Sequence, residues 1–118
     1  MEILNSETFK SKVYNYEQNK DWTFIGQRPA IIDFYADWCA PCRALAPVLD
    51  EVAQKYQGKV DIYKVDTEAS PELAHLFSVR GIPAILFIPL QGEPAMASGF
   101  MPATSFDEAI KELFSLNP

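Results

Sequence analysis

Two cysteines stand two residues apart at Cys39 and Cys42, in the stretch DWCAPCRALAP, and they are the only thiols in a chain of 118 residues. A disulfide across so short a loop is a poor staple. Closing about four residues restrains the unfolded chain by roughly 2 kcal/mol, against about 3 for fifteen. The same spacing suits chemistry. Cys39 follows an apolar strand-like run and opens a helix, where unpaired backbone N–H groups and the positive end of the dipole favour a thiolate. Cys42 lies one helical turn on and can reach the first sulfur, so the pair can open and close with little backbone movement. Pro41 fits the first helical turn, where its missing N–H costs nothing, and it stiffens the loop. A metal half-site is the competing reading, but structural zinc usually takes four Cys or His ligands. Only His75 is available besides the cysteines, so dithiol–disulfide redox chemistry is expected and no metal site is. His75 reads as a surface residue.

Asp33 sits in the middle of AIIDFYA, six residues before Cys39. A buried, unpaired carboxylate is costly, so its pKa should rise and favour the protonated form at neutral pH. Such a group near a thiol pair can exchange a proton as a thiolate forms or leaves. The alternative is a structural aspartate bonded to a nearby N–H or cation. Lys64, in VDIYKVD, has apolar neighbours on both sides; it either pairs with Asp33 from an adjacent strand or is an exposed lysine on a sheet edge.

The elements that must position these groups follow from periodicity. Ser6 to Asn19 is amphipathic with Phe9, Val13 and Tyr16 on one face, Ser6 being the N-cap. Trp22, Phe24 and Ile25 form a short strand or a lid. Pro29 opens AIIDFYA, a strand buried on both faces. A helix runs from the cysteines to about Gln57, with Leu45, Val48, Leu49, Val52 and Tyr56 at helical spacing, a kink at Pro47 and Gly58 as C-cap. Val60 to Val65 is a second strand. Ser70-Pro71-Glu72 starts a helix with Leu73, Leu76 and Phe77 inward, and Ala84 to Pro89 is a third buried strand. The short turn Leu90 to Glu93 returns Pro94 to Gly99 antiparallel beside it. Thr104 caps a closing helix with Phe106, Ile110, Leu113 and Phe114 inward. Strands alternating with helices, then a hairpin and a last helix, give an α/β layered domain spanning residues 1–118.

Composition excludes other classes. Apolar residues make up 48% and charged residues 22%, which is ordinary for a globular chain. The net charge is −6, with ten basic residues that are scattered, so no nucleic-acid footprint is visible. No apolar run reaches the length of a membrane span. The amino end lacks the apolar stretch of a secretory leader, which points to the cytoplasm; a chain recorded after leader removal, and so periplasmic, would read the same way.

The stretch DFYADWCAPCRALAP, together with VRGIPA at 79–84, resembles the thioredoxin family, and the resemblance runs from about Asn5 to Leu116. It implies the thioredoxin fold, a central mixed β-sheet flanked by helices on both faces. Carried over, Cys39 is the exposed attacking cysteine and Cys42 the buried resolving one. Trp38 flanks and covers the site, Asp33 takes part in proton transfer with the resolving thiol, and Lys64 neighbours that aspartate. Pro83 matches a cis-proline against the disulfide, and the backbone of Ile82 the segment that pairs with a substrate strand. Ala40, Pro41 and Gly99 fall on the substrate side, with Gly92 near the hairpin. Four positions depart from the usual pattern. Ala40 replaces a common glycine, Arg43 a lysine, Tyr35 a tryptophan, and Ala84 a threonine.

The implied activity is reduction of protein disulfides by a Cys39–Cys42 dithiol. It needs no bound cofactor, because the two sulfurs hold the electrons and an external reductase recharges them. Disulfide-containing proteins are the expected substrates and a thioredoxin or membrane reductase the expected partner, with no stable membrane insertion and a monomeric chain. Trp38, Ile82 and Met101 are candidates to dock substrate segments. The alternatives are the reverse direction, a disulfide oxidant or isomerase in an envelope compartment, and a redox-inactive binding module.

Overall fold

The computed structural model describes residues 1–118. Its core is a sheet in which near-continuous apolar runs lie between two helical layers. The strands are β1 (Glu2–Ile3), β2 (Ala30–Tyr35), β3 (Asp61–Asp66), β4 (Ala84–Ile88) and β5 (Ala95–Ser98). The helices are α1 (Ser6–Lys12), α2 (Ala40–Lys55), α3 (Pro71–Leu76) and α4 (Ala103–Phe114). In the sheet the order is β1-β3-β2-β4-β5, with β1, β3 and β2 parallel, β4 antiparallel to β2, and β5 antiparallel to β4. This is the thioredoxin fold that the resemblance implied.

The period-two alternation of β2 and β4 decides which helices cover which face. Ala30, Ile32 and Phe34 join Leu86 and Ile88 on one side, against Phe9 of α1 and Leu73 of α3. Ile31 joins Ile85 and Phe87 on the other, against Leu45, Leu49 and Val52 of α2 and Phe106 and Ile110 of α4. Asp33 and Tyr35 share parity with Ile31 and so lie on the α2 side, as Lys64 does with Ile62.

Several expectations need correction. Helix α1 stops at Lys12 and is capped by Asn5, not Ser6, in a reciprocal capping box with Thr8. The chain leaves the helix because its next aromatics are needed elsewhere. Tyr14 packs on Trp22 and Tyr16 on Phe9, both of which meet Phe77, and the Tyr14 hydroxyl donates to the carbonyls of Asn19 and Lys20. Trp22 and Phe24 are neither strand nor lid; they pack on the core, while Ile25 is exposed. Helix α4 begins one residue before Thr104, capped by Pro102, whose backbone is already extended. Leu76 and Leu113 point outward, at 38% and 39% exposure, since the short helices bury only the residues nearest the sheet. Gly58 lies two residues beyond the C-cap Tyr56, in the turn where its φ of 81° needs a glycine. Strand β1 went unread because two residues carry no periodicity. Pro47 lies inside α2 without ending it.

Candidate active site

The amino end of α2 meets the loop before β4 at the disulfide. Cys39 is the N-cap of α2, in extended backbone, and its Sγ accepts the Cys42 N–H at 3.3 Å. A sulfur in the capping position takes up one of the donors that the first helical turn leaves unpaired. Cys39 and Cys42 are bonded to each other with Cα atoms 5.2 Å apart. Sγ of Cys39 also lies 3.7 Å from the carbonyl oxygen of Ile82. The Ile82–Pro83 peptide bond is cis, and Pro83 is buried. The Gly99 N–H donates to the Pro83 carbonyl at 2.8 Å, with Gly99 at a φ of 90°. The end of β5 thus ties down the carbonyl of the cis-proline.

The sulfurs differ from expectation in one respect. Cys39 and Cys42 are each 4% exposed, so in the disulfide state Cys39 is no more open than Cys42. What separates them is surroundings. Cys39 faces the Ile82 carbonyl, whereas Cys42 lines a recess of about 130 Å³ together with Tyr35, Arg43 and Lys64.

Asp33 is fully buried, and neither carboxylate oxygen has a hydrogen-bond partner. Burial pushes its pKa up to about 6, with the Lys64 ammonium pulling the other way. The rise is as expected, but a midpoint below neutrality leaves the carboxylate the main form at pH 7. Neither reading of Lys64 holds: it forms no ion pair with Asp33, and it is no exposed edge residue, being half-buried on a strand that lies between β1 and β2. Its Cα stands directly across from Asp33 in the β2–β3 register, yet its Nζ sits over the Tyr35 ring, 4.3 Å from the centroid.

Ala40 and Pro41 are exposed on the first turn of α2, and Trp38, at 66% exposure, projects beside them. Trp38 and half-buried Ile82 line a groove of about 210 Å³ with Val79, Arg80 and Gly81. Met101 is half-buried and packs on the α2–α4 core rather than on this surface, and His75 is exposed on α3. No three His, Cys, Asp or Glu side chains come together to hold a metal ion, and no helix is long and apolar enough to cross a membrane.

Three contributors were missed in the sequence. Glu68 accepts the Trp38 indole N–H at 2.7 Å and steers the ring; thirty residues apart, the two leave no local signal. Arg43 donates to the Asp37 carbonyl at 2.8 Å and ties the loop before Cys39 to α2. Tyr35 had a readable signal, since a residue two beyond Asp33 on a strand must share its face.

Residues 1–112 match the family described as Thioredoxin. The chain is 43% identical to a thioredoxin of Borreliella burgdorferi over 111 residues, covering 94% of this chain and 95% of that one. It is 36% identical to a thioredoxin of Synechocystis over 93 residues, covering 79% and 87%. Among solved structures it is similar to chloroplastic thioredoxin z, with a TM-score of 0.80 and 27% identity over 96% of this chain and 93% of that one.

Proposed function

This chain belongs to the thioredoxin family, and we propose that its Cys39 attacks, its Cys42 resolves and its Asp33 takes the resolving proton. Membership makes it a thiol–disulfide oxidoreductase that reduces disulfides in other proteins and is recharged by a reductase. The observation that carries the assignment of roles is the Cys39 sulfur at the N-cap of α2, bonded to Cys42 and against the carbonyl that precedes a cis-proline.

The cycle starts from the dithiol. The Cys39 thiolate attacks one sulfur of a substrate disulfide; a mixed disulfide forms, the substrate S–S bond breaks, and the first substrate sulfur leaves and is protonated. Cys42 gives its proton to the Asp33 carboxylate and attacks Cys39 Sγ. The Cys39–Cys42 bond forms, and the second substrate thiol is released. The substrate has gained two electrons from the dithiol and two protons, one released again by Asp33 and one from water, Cys39 having shed its own in forming the thiolate. A carboxylate with a midpoint near 6 is a better acceptor for a thiol proton than one at the ordinary 3.8.

Docking follows from the surface beside the sulfurs. An extended substrate segment lies along Ile82, whose N–H has no acceptor within the chain, with Trp38, Ala40 and Pro41 on one flank and Gly99 on the other. No cofactor takes part. A dithiol that must stay reduced fits the cytoplasm, where small thiols keep others reduced.

The test is alkylation of the reduced protein at pH 7 with mapping of the modified residue, alongside equilibration of the pair with glutathione. Cys39 is expected to react well before Cys42, and the potential to be reducing. Faster reaction at Cys42 would overturn the roles, and a strongly oxidising potential would overturn the direction and the compartment.

A further inference from the structure

Three side chains share one face of neighbouring strands beneath α2. Asp33 and Tyr35 are two residues apart on β2, and Lys64 lies directly across from Asp33 on β3. Side chains directly opposite and those on the diagonal are both within reach of a lysine stem. Lys64 therefore has two competing neighbours, the carboxylate across the ladder and the ring on the diagonal. It takes the ring, with Nζ 4.3 Å from the centroid, while both Asp33 oxygens are left without a partner. An ammonium over an aromatic face is held by the ring quadrupole, and more firmly where water is partly excluded. Tyr35 and Lys64 are both half-buried.

We propose that Tyr35 is a positioning residue: its ring holds the Lys64 ammonium off the Asp33 carboxylate and leaves that carboxylate free to accept the Cys42 proton. The inference rests on the role given to Asp33 above. A cation in contact with a buried carboxylate lowers its pKa by about 1–3 units, and would undo what burial does for Asp33. With the ammonium drawn aside, burial prevails.

The other groups near Asp33 leave Lys64 as the cation that matters. On β4, Ile85 stands across from Asp33 and brings no charge. Helix α2 contributes Cys42, held in the disulfide, and Arg43, whose guanidinium is taken by the Asp37 carbonyl. Asp37 and Asp66 act on the Tyr35 hydroxyl, pushing its pKa further up after burial, and so keep the ring in its neutral form.

The experiment is an NMR titration of the Asp33 carboxyl in the oxidised protein, which involves no turnover. Tyr35→Leu is expected to lower the midpoint by about one pH unit, and Tyr35→Phe, which keeps the ring, to leave it in place. In the Tyr35→Leu, Lys64→Met double variant the fall should vanish. An unchanged midpoint in Tyr35→Leu overturns the proposal. So does a fall that persists without the lysine, which would mean that water rather than Lys64 had reached the carboxylate, and so does an equal fall in Tyr35→Phe. Thermal melts check that each variant is folded, and Tyr35→Met replaces Tyr35→Leu if the latter is not. The acid limb of the turnover profile in Tyr35→Leu is then measured separately. If the midpoint moves and that limb does not, Asp33 is not the proton acceptor and the reading of the site fails while the positioning stands.

Discussion

The two faces of the central sheet are built from the same strands and have opposite characters. Toward α1 and α3, β2 presents Ala30, Ile32 and Phe34, all fully buried, and the layer above them is an aromatic cluster of Phe9, Tyr14, Trp22 and Phe77. Toward α2, the alternate residues of the same strand are Ile31, Asp33 and Tyr35, and a carboxylate without a partner lies in the middle of the row. One face leaves only a neutral donor, the Trp22 indole N–H, without a partner and carries no chemistry. The other leaves an ionisable group, Asp33, unpaired, on the face whose Tyr35 and Lys64 line a recess together with Cys42. Stability and reactivity are thus divided between faces a single residue apart in sequence, because a strand turns alternate side chains in opposite directions.

Substitutions on the two faces should therefore fail in different ways. Cys39→Ser removes the nucleophile, and disulfide-reductase turnover should drop on the order of a thousandfold or more. Its fold should lose no more than the roughly 2 kcal/mol that closing so short a loop supplies. A variant that still turned over would place the chemistry elsewhere. On the opposite face, Phe9→Ala should cost about 3–5 kcal/mol by urea unfolding and leave kcat/KM per folded molecule as it was. A matching loss of activity would show that the faces are not independent.

Asp33→Asn sharpens the contrast, since it should improve the fold while damaging the function. The folded protein holds the Asp33 proton with a pKa of about 6, against 3.8 ordinarily. The stability tied to that proton is full below the lower value and is lost as pH rises through the upper one. Asparagine imitates the protonated form. The variant should thus gain about 3 kcal/mol over the parent at pH 8 and nothing at pH 3, while turnover falls by about a hundredfold. Equal stability at both pH values would mean that burial does not perturb this carboxyl.

Much of the site was legible because its signals are local or periodic. Cys39 to Cys42 is one turn of a helix, Pro41 belongs in a first turn, and the apolar run around Asp33 marks it as interior. The near-continuous apolar runs also placed β2 and β4 correctly, as strands buried on both faces. Reading failed where side chains far apart in sequence compete for a partner. The indole of Trp38 is steered by Glu68, thirty residues away, and Tyr14 and Tyr16 leave the helical pattern for a cluster that includes Phe77.

By itself the sequence determined the dithiol, the helix mouth that holds it and the buried aspartate, because each depends on residue type and short spacing, while the proline opposite was implied by the family resemblance. The tertiary structure alone decided where the Lys64 ammonium goes. That choice between Asp33 and Tyr35 is a contest of energies across two strands. It is settled by register, burial and the reach of one flexible stem, and a linear string of residues encodes none of these directly.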